Sequence, residues 1–212
     1  MDNENADSSE DRVHEILRSL EIDLIFGWAA CQAAKHYSHA IQSDTRMSHT
    51  WMHWISFVAC QRESVMALAR LTDHQPQSVS LPTLLRYSDQ NTQEYKRATP
   101  KEVRLQICKD TKWLREHKTF DKVRALRDRV LAHTDKKKFC QPGHMMPFDV
   151  EIDETEKTFE AIHTITDKYR WLYDNSMFEL SNISEDIETE MQYELTLKKP
   201  RQRQSNRQTA QD

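Results

Sequence analysis

Glycine is scarce in this sequence, and its scarcity limits the folds that the chain can adopt. Two glycines and six prolines occur among 212 residues, which is too few for the hairpins of a β-sheet protein or for a glycine-rich phosphate loop. Good helix formers such as Leu, Glu, Lys, Arg, Gln, Ala and Met are plentiful. The composition therefore predicts an all-α fold.

Length and polarity predict one domain outside the membrane. No break in composition divides the 212 residues, which suffice for one buried core. The mean hydropathy is -0.85, and no apolar run approaches the roughly 20 residues of a membrane helix. We expect a flexible acidic leader over 1–10, one domain over 11–196 and a disordered basic tail over 197–212. Because the leader lacks an apolar block, we expect no signal peptide and a cytoplasmic protein.

Apolar residues recur at steps of three and four, the spacing of one helix face. Pro82 and Pro100 suit the first turn of a helix, whereas Pro76 ends the helix before it. The expected helices run from Ser8 or Ser9 to about Gln42, from Ser48 or Thr50 to Leu71, from Ser80, from Thr99 to about Lys118, over Asp121–His133, from Asp153, and from Ser181 or Ser184.

Polar side chains at three predicted helix starts have the positions of N-terminal caps. They are Thr99, Thr119, and Asp153 with Glu156, of which the last pair has the form of a capping box. A long loop is expected over 136–152 after the Asp121–His133 helix. Phe148, Val150 and Ile152 alternate there, a pattern that allows a short extended piece but no sheet.

The cysteines and histidines lack the spacing of a familiar metal or redox site. The cysteines are far apart, so we expect the free thiols Cys31, Cys60, Cys108 and Cys140. His49 and His53 lie four residues apart, as zinc ligands often do, and His36 and His39 lie three apart, but no acid completes a site. A structural role is favoured for these histidines. A metal-dependent hydrolase that uses His49 and His53 remains an alternative. No cofactor is predicted.

Charge is divided unevenly along the chain, although the net charge is only -4. Residues 99–138 contain 13 Lys or Arg and six Asp or Glu, whereas residues 149–195 contain 14 acids and three bases. The basic block surrounds Arg127 and His133. Such a block attracts polyanions, although exposed helix faces are also charged for solubility alone.

One segment in the basic block has the residue types that RNA cleavage without a metal requires. Histidine can act as base or acid near neutral pH, and a guanidinium can donate two parallel N–H groups to a phosphorane-like transition state. On the predicted helix, Arg127 and His133 flank the apolar stripe about 120° and roughly 9 Å apart. Asp128 could orient either of them. Because one helix cannot bring both onto one phosphate, two copies of the chain would have to pair.

The spacing between the arginine and the histidine is by itself a weak indication of a nuclease site. With 16 arginines and 10 histidines, about two matches are expected by chance, and Arg46 with His53 also matches, although Met47 follows that arginine. His133 could instead be a helix-end histidine that the helix dipole favours. Arg127 and Asp128 could likewise be an ordinary surface charge pair.

The surroundings of the motif are more specific. The run RALRDRVLAHTDK at 124–136 resembles the signature of the HEPN superfamily, an arginine, then Asn, Asp or His, then a histidine near a helix end. Upstream, ALARLTD at 67–73 and SVSLPTLL at 78–85 look like the abortive-infection U-type branch of that superfamily. The resemblance covers roughly residues 12–173.

The resemblance implies an antiparallel helical bundle of about five to six helices, usually a homodimer, whose two motifs share a cleft that cuts RNA without a metal. It implies catalytic roles for Arg127, Asp128 and His133. Many members act as toxins or in phage defence under the restraint of a partner, here an antitoxin or a nucleotidyltransferase-like protein. Others are inactive and bind only nucleotides or other macromolecules. The basic residues around the motif are expected to bind RNA, namely Arg124, Arg129, Lys136, Lys137 and Lys138.

Overall fold

The structure is a computed structural model that describes residues 7–43, 47–132 and 150–180, together with positions 185, 187 and 189. Over these residues the chain is helical and has no strand, which confirms the all-α prediction. The helices are α1 (Asp7–Ser43), α2 (Met47–Leu71), α3 (Leu81–Gln90), a 3₁₀ turn (Thr92–Glu94), α4 (Pro100–Glu116), α5 (Lys118–Ala132) and α6 (Ile152–Asp174). Most of the predicted helix after Ser181 or Ser184, and the tail over 197–212, lie outside the described residues, although positions 185, 187 and 189 are helical.

Helices α1 and α2 form the centre of the bundle, and α6 packs against α1 in the opposite direction. Near the start of α6, the Glu156 carboxylate accepts hydrogen bonds from Gln32 (2.9 Å) and Lys35 (2.6 Å) in the second half of α1. Near its end, Arg170 forms an ion pair with Glu21. The largest fully buried side chains are Ile16, Leu17, Leu20, Leu24, Leu68, Leu71, Leu81, Leu84, Phe120, Phe159, Ile162 and Tyr169.

Gly27 of α1 lies where α1, α2 and α6 pack closely against each other. A Cβ atom at this position would lie 2.5 Å from the Phe159 ring and 2.6 Å from the Ala67 Cβ atom. These distances are far shorter than ordinary carbon contacts of about 3.5 to 4.0 Å. The missing side chain therefore lets the three helices share one core.

Buried polar contacts attach α3 and α4 to the rest of the bundle. The Ser88 hydroxyl of α3 is hydrogen bonded to the hydroxyl of Tyr95. Asp110 of α4 is only 5% exposed, and its carboxylate accepts hydrogen bonds from the Tyr169 hydroxyl (3.1 Å) and from Gln106 Nε2 (2.8 Å). Because a buried carboxylate without partners would be costly, these bonds fix α4 against α6.

The start of α4 confirms the predicted cap at Thr99. The Thr99 hydroxyl accepts a hydrogen bond from the Glu102 backbone N–H (3.4 Å), and the Glu102 carboxylate accepts one from the Thr99 N–H (2.8 Å). These two bonds form a capping box. The pKa of Glu102 is lowered by the hydrogen bonds that its carboxylate accepts from the Thr99 N–H and from the Thr99 hydroxyl. Pro100 occupies the first turn, as its fixed φ favours.

The predicted cap at Thr119 is wrong. α5 begins at Lys118, earlier than Asp121, so Thr119 lies inside the helix. Its hydroxyl donates a hydrogen bond of 2.7 Å to Glu154 of α6. The hydroxyl that would form a local cap therefore donates to a neighbouring helix instead.

The predicted capping box at Asp153 and Glu156 is also wrong. α6 begins at Ile152 behind Glu151, and no side-chain cap is present. Glu156 binds α1 instead, so tertiary contact again prevails over the local pattern. Ile152 is helical and cannot belong to the proposed extended piece, whereas Phe148 lies outside the described residues.

None of the helices searched, which are those of the described residues, is long and apolar enough to cross a membrane. Cys31, Cys60 and Cys108 are free thiols, as predicted, and Cys140 lies outside the described ranges. Within the same ranges no group of three or more His, Cys, Asp or Glu side chains could hold a metal ion.

Candidate functional site

The motif helix α5 is positioned by its apolar side and by its first turns. Val123 and Leu126 are buried in the core, and α5 packs against α2. Near the start of the helix, Lys122 forms an ion pair of 2.8 Å with Glu154, and this pairing lowers the pKa of Glu154. With these contacts fixed, Arg124 and Arg127 of α5 face the loop that follows α2.

Arg127 lies between two carboxylates. Its Nε and Nη2 atoms each lie 3.0 Å from Asp128 Oδ1, and its Nη1 atom lies 3.8 Å from Asp73 Oδ1. The Arg127 side chain is 26% exposed, whereas that of Asp128 is 65% exposed. The guanidinium is therefore oriented at the edge of the bundle and remains accessible to a ligand.

Arg124 lies one turn earlier on α5 and contacts a histidine. Its Nη2 atom lies 3.3 Å from His74 Nε2, and its Nη1 atom lies 3.8 Å from Asp121 Oδ1. Partial burial and the neighbouring guanidinium lower the pKa of His74. The imidazole is therefore neutral at pH 7 and can accept a hydrogen bond from Arg124.

The loop that supplies Asp73 and His74 is held by its own hydroxyl groups. Ser80 donates a hydrogen bond of 2.6 Å to the Asp73 carbonyl, and Ser78 donates one of 2.7 Å to the Gln75 carbonyl. Thr83 of α3 donates a hydrogen bond of 2.8 Å to the Ser78 carbonyl. These bonds close the loop against the start of α3 and hold the backbone at Asp73 and His74 in place.

Arg70 forms a separate charged cluster beside this loop. Its Nε atom donates to Asp23 (2.8 Å), and its Nη2 atom donates to Glu63 (3.0 Å). Arg62 and Glu63 of α2 are both exposed. Arg70 therefore joins α1 to α2 at the surface and has its own carboxylates.

The structure brings together only part of the predicted site. Arg124, Arg127 and Asp128 share one side of α5, as the predicted helix requires. The backbone of Arg129 is helical, but its side chain is not among the described ones. The remaining predicted site residues lie outside the described ranges, and they are His133, Lys136, Lys137 and Lys138.

Of the alternative motif and the pair formed by His49 and His53, the structure describes only the side chain of His53. His53 is 7% exposed and lies beside the Tyr37 ring, with the ring centroids 6.1 Å apart. Arg46 lies outside the described residues. His53 is thus a buried residue of the α1 and α2 packing, which agrees with the structural role favoured for it.

The sequence did not single out Asp73 and His74 as neighbours of the motif. Both lie in the loop after α2, and His74 is 50 residues before its partner Arg124. The only sequence signal was that the resembling run 67–73 ends at Asp73. A contact between residues this far apart depends on how α2 and α5 pack, which local patterns do not specify.

Comparison with known proteins agrees with this architecture. The family model HEPN_AbiU2, described as AbiU2, matches residues 10–193, which include the described helices of the bundle, apart from the first three residues of α1, and the whole motif segment. No curated protein and no solved structure matches the chain significantly. The match covers most of the chain and agrees with the helical bundle and with the resemblance at 67–85 and 124–136. The chain belongs to the AbiU2 family of HEPN domains, which are associated with abortive infection.

Proposed function

We propose that the protein is a metal-independent endoribonuclease of the toxin or phage-defence type. It would act as a homodimer in which the Arg127-Asp128-x4-His133 segments of two copies face one cleft. The observation that carries this proposal is the Arg127 guanidinium, which Asp128 and Asp73 orient at an accessible edge. Family membership supplies the context, because HEPN domains of this type are associated with abortive infection.

The proposed reaction is an internal transesterification. The ribose 2′-oxygen attacks the adjacent phosphorus while a base removes its proton, and the bond from phosphorus to the 5′-oxygen breaks as an acid protonates that oxygen. The products are a 2′,3′-cyclic phosphate and a free 5′-hydroxyl. His133 would serve as base or acid, and Arg127 would donate N–H groups to the non-bridging oxygens.

Asp128 would act through Arg127. A carboxylate oxygen that accepts from both Nε and Nη2 fixes the plane of the guanidinium. The remaining N–H groups then point in a constant direction. Asp73 lies near Nη1 at 3.8 Å, a distance at which a phosphate oxygen could compete for the same donor.

A second candidate is a non-catalytic HEPN module that binds RNA, a nucleotide or a partner protein. The observation that favours it is the charge balance at Arg127, because the two nearby carboxylates, Asp73 and Asp128, offset its charge. Such a balance weakens the stabilisation of a transition state but still permits binding. An antitoxin or a nucleotidyltransferase-like protein is the partner class that the resemblance implies for either candidate.

The two candidates are separated by incubating the purified protein with total cellular RNA in EDTA. We expect cleavage by the wild type with 2′,3′-cyclic phosphate ends, and a loss of at least about a hundredfold in Arg127→Ala and in His133→Ala. Arg104→Ala is the matched control, because Arg104 is an exposed arginine of α4 in the same basic block. Sedimentation should give the mass of two 25.2 kDa chains.

Equal cleavage by the wild type and the Arg127→Ala variant would contradict the nuclease proposal. If the wild type binds RNA without cleaving it, and Arg127→Ala loses that binding, the result would support the binding module instead. Cleavage that EDTA abolishes would indicate a metal-dependent enzyme, in conflict with both candidates.

A further inference from the structure

Two consecutive loop residues contact two arginines that lie one turn apart on α5. Asp73 Oδ1 lies 3.8 Å from Arg127 Nη1, and His74 Nε2 lies 3.3 Å from Arg124 Nη2. Side chains three residues apart on a helix are neighbours, with Cβ atoms about 5 to 6 Å from each other. The loop therefore holds both guanidinium groups on the same side of the motif helix.

The loop is constrained in a way that suits this task. The Asp73 carbonyl accepts a hydrogen bond from Ser80, and its carboxylate accepts one from the Gln75 backbone N–H (3.2 Å). Pro76 follows and restricts the backbone further. The two side chains that meet the arginines thus project from a fixed turn.

The contact between His74 and Arg124 requires a neutral imidazole. A ring nitrogen accepts a hydrogen bond only when it carries no proton, and a protonated ring would repel the guanidinium. The charged groups that act on His74 are Arg124 on α5, Arg115 on α4 and Asp73 in its own loop. Two cations outweigh one carboxylate, and together with partial burial they favour the neutral ring.

We propose that His74, together with Asp73, is a positioning residue that holds Arg124 and Arg127 to bind neighbouring phosphates of one RNA strand. This inference rests on the proposed nuclease function, which it extends from one guanidinium to two. Two forked guanidinium groups on one side of a helix fit a chain of repeated phosphates better than a single anion. Neither His74 nor Asp73 would touch the reacting atoms.

The test compares His74→Ala with His74→Gln in the full chain. The Gln side chain retains an oxygen acceptor for Arg124 but does not titrate. At pH 7.5 we expect His74→Ala to cleave RNA about tenfold more slowly than the wild type, and His74→Gln to retain most of the rate. His14→Ala is the control, because His14 is an exposed histidine of α1.

A binding measurement separates His74 from the chemistry of His133. In the His133→Ala background, we expect affinity for a fluorescent RNA oligonucleotide to fall as the pH is lowered from 7.5 to 5.5. The same series with His74→Gln should show a much smaller decrease in affinity. Protonation removes the acceptor nitrogen of the imidazole, whereas the Gln side chain does not titrate in this range. Thermal melting of each variant checks that the substitutions leave the fold intact.

Unchanged cleavage and unchanged RNA affinity in His74→Ala, with cleavage lost in Arg127→Ala, would overturn the positioning role and leave the nuclease proposal standing. If His74→Gln cleaves RNA as slowly as His74→Ala, the positioning role is also overturned, because that role needs only a hydrogen-bond acceptor. Full cleavage by Arg127→Ala would defeat the nuclease proposal and, with it, the role of His74.

Discussion

At the scale of the residue, the orientation of Arg127 is the feature on which the proposed function depends. Its guanidinium is held by Asp128 from the next position on α5 and approached by Asp73 from the loop after α2. Both Arg127 and Asp128 are partly or largely exposed, so their pairing contributes little to folding, roughly 0 to 1 kcal/mol. The pair therefore has a greater effect on where the guanidinium points than on whether the protein folds.

Removal of the Asp128 carboxylate should separate activity from stability. We expect Asp128→Ala to lower the rate of RNA cleavage by about tenfold to a hundredfold, because Arg127 loses the acceptor that fixes its plane. The free energy of unfolding should change by no more than about 0.5 kcal/mol, as is usual for exposed sites. Both quantities can be measured on one preparation, by an RNA cleavage assay and by urea unfolding.

Glu116→Ala is the matched control for Asp128→Ala. Glu116 forms an exposed ion pair of 3.9 Å with Lys112 on α4, away from the motif helix. It should leave both cleavage and stability unchanged. Full activity in Asp128→Ala would mean that Arg127 needs no orientation by its neighbour.

At the scale of the element, contacts between helices override several local signals. Thr119 and Glu156 have the sequence positions of caps, yet Thr119 donates to Glu154 and Glu156 accepts from α1. Helix bounds set by proline and by apolar spacing were predicted well, as at Pro100 and Leu71. Of the three caps predicted, the one at Thr99 is confirmed, and there no partner from another helix competes.

The tight contact of α1, α2 and α6 makes Gly27 a sensitive position. In a helix, Gly→Ala ordinarily stabilises by about 1 kcal/mol through backbone entropy. Here the new methyl group would lie 2.5 Å from the Phe159 ring and 2.6 Å from Ala67. We expect Gly27→Ala to destabilise the protein by about 1 to 3 kcal/mol in urea unfolding. A gain in stability would show that the three helices can separate at this point without cost.

The junction of α4, α5 and α6 should make stability depend on pH. His117 stacks on Trp113 with ring centroids 4.8 Å apart, lies 3.3 Å from the Thr158 hydroxyl, and has its pKa lowered by burial from the ordinary 6.5. The unfolded chain thus binds a proton at a higher pH than the folded chain does. Stability is greatest above about pH 6.5 and decreases as the pH falls through that value toward the folded pKa.

Urea unfolding at pH 7.5 and pH 5.5 measures this dependence. His117→Gln should have a smaller difference between the two pH values, because it removes a histidine whose pKa is lowered; His74 is another such histidine and remains. Glu154 and Glu156, whose pKa values lie below 4.5, contribute only at lower pH. An unchanged pH dependence in His117→Gln would contradict the role given to this ring.

At the scale of the whole molecule, the fold class and the family could be read from the sequence, whereas the composition of the site could be read only in part. Scarce glycine and helical spacing predicted the bundle, and the runs at 67–85 and 124–136 predicted the HEPN family. The pairing of α5 with the loop after α2 could not be predicted, because no local pattern encodes which helices pack together. For that reason the sequence singled out Arg127 and Asp128 as candidate site residues but not their neighbours Asp73 and His74.

The most direct measurement uses an oligonucleotide built on a cleavage site mapped in cellular RNA. All of its sugars are deoxyribose except the one on the 5′ side of the cut, and EDTA is present. We expect one cut, at that ribose, with a 2′,3′-cyclic phosphate on one product and a 5′-hydroxyl on the other, and none with Arg127→Ala or His133→Ala. Cleavage of the oligonucleotide after that ribose is replaced by 2′-O-methylribose, or equal cleavage by Arg127→Ala, would contradict attack by the 2′-oxygen at an arginine and histidine site.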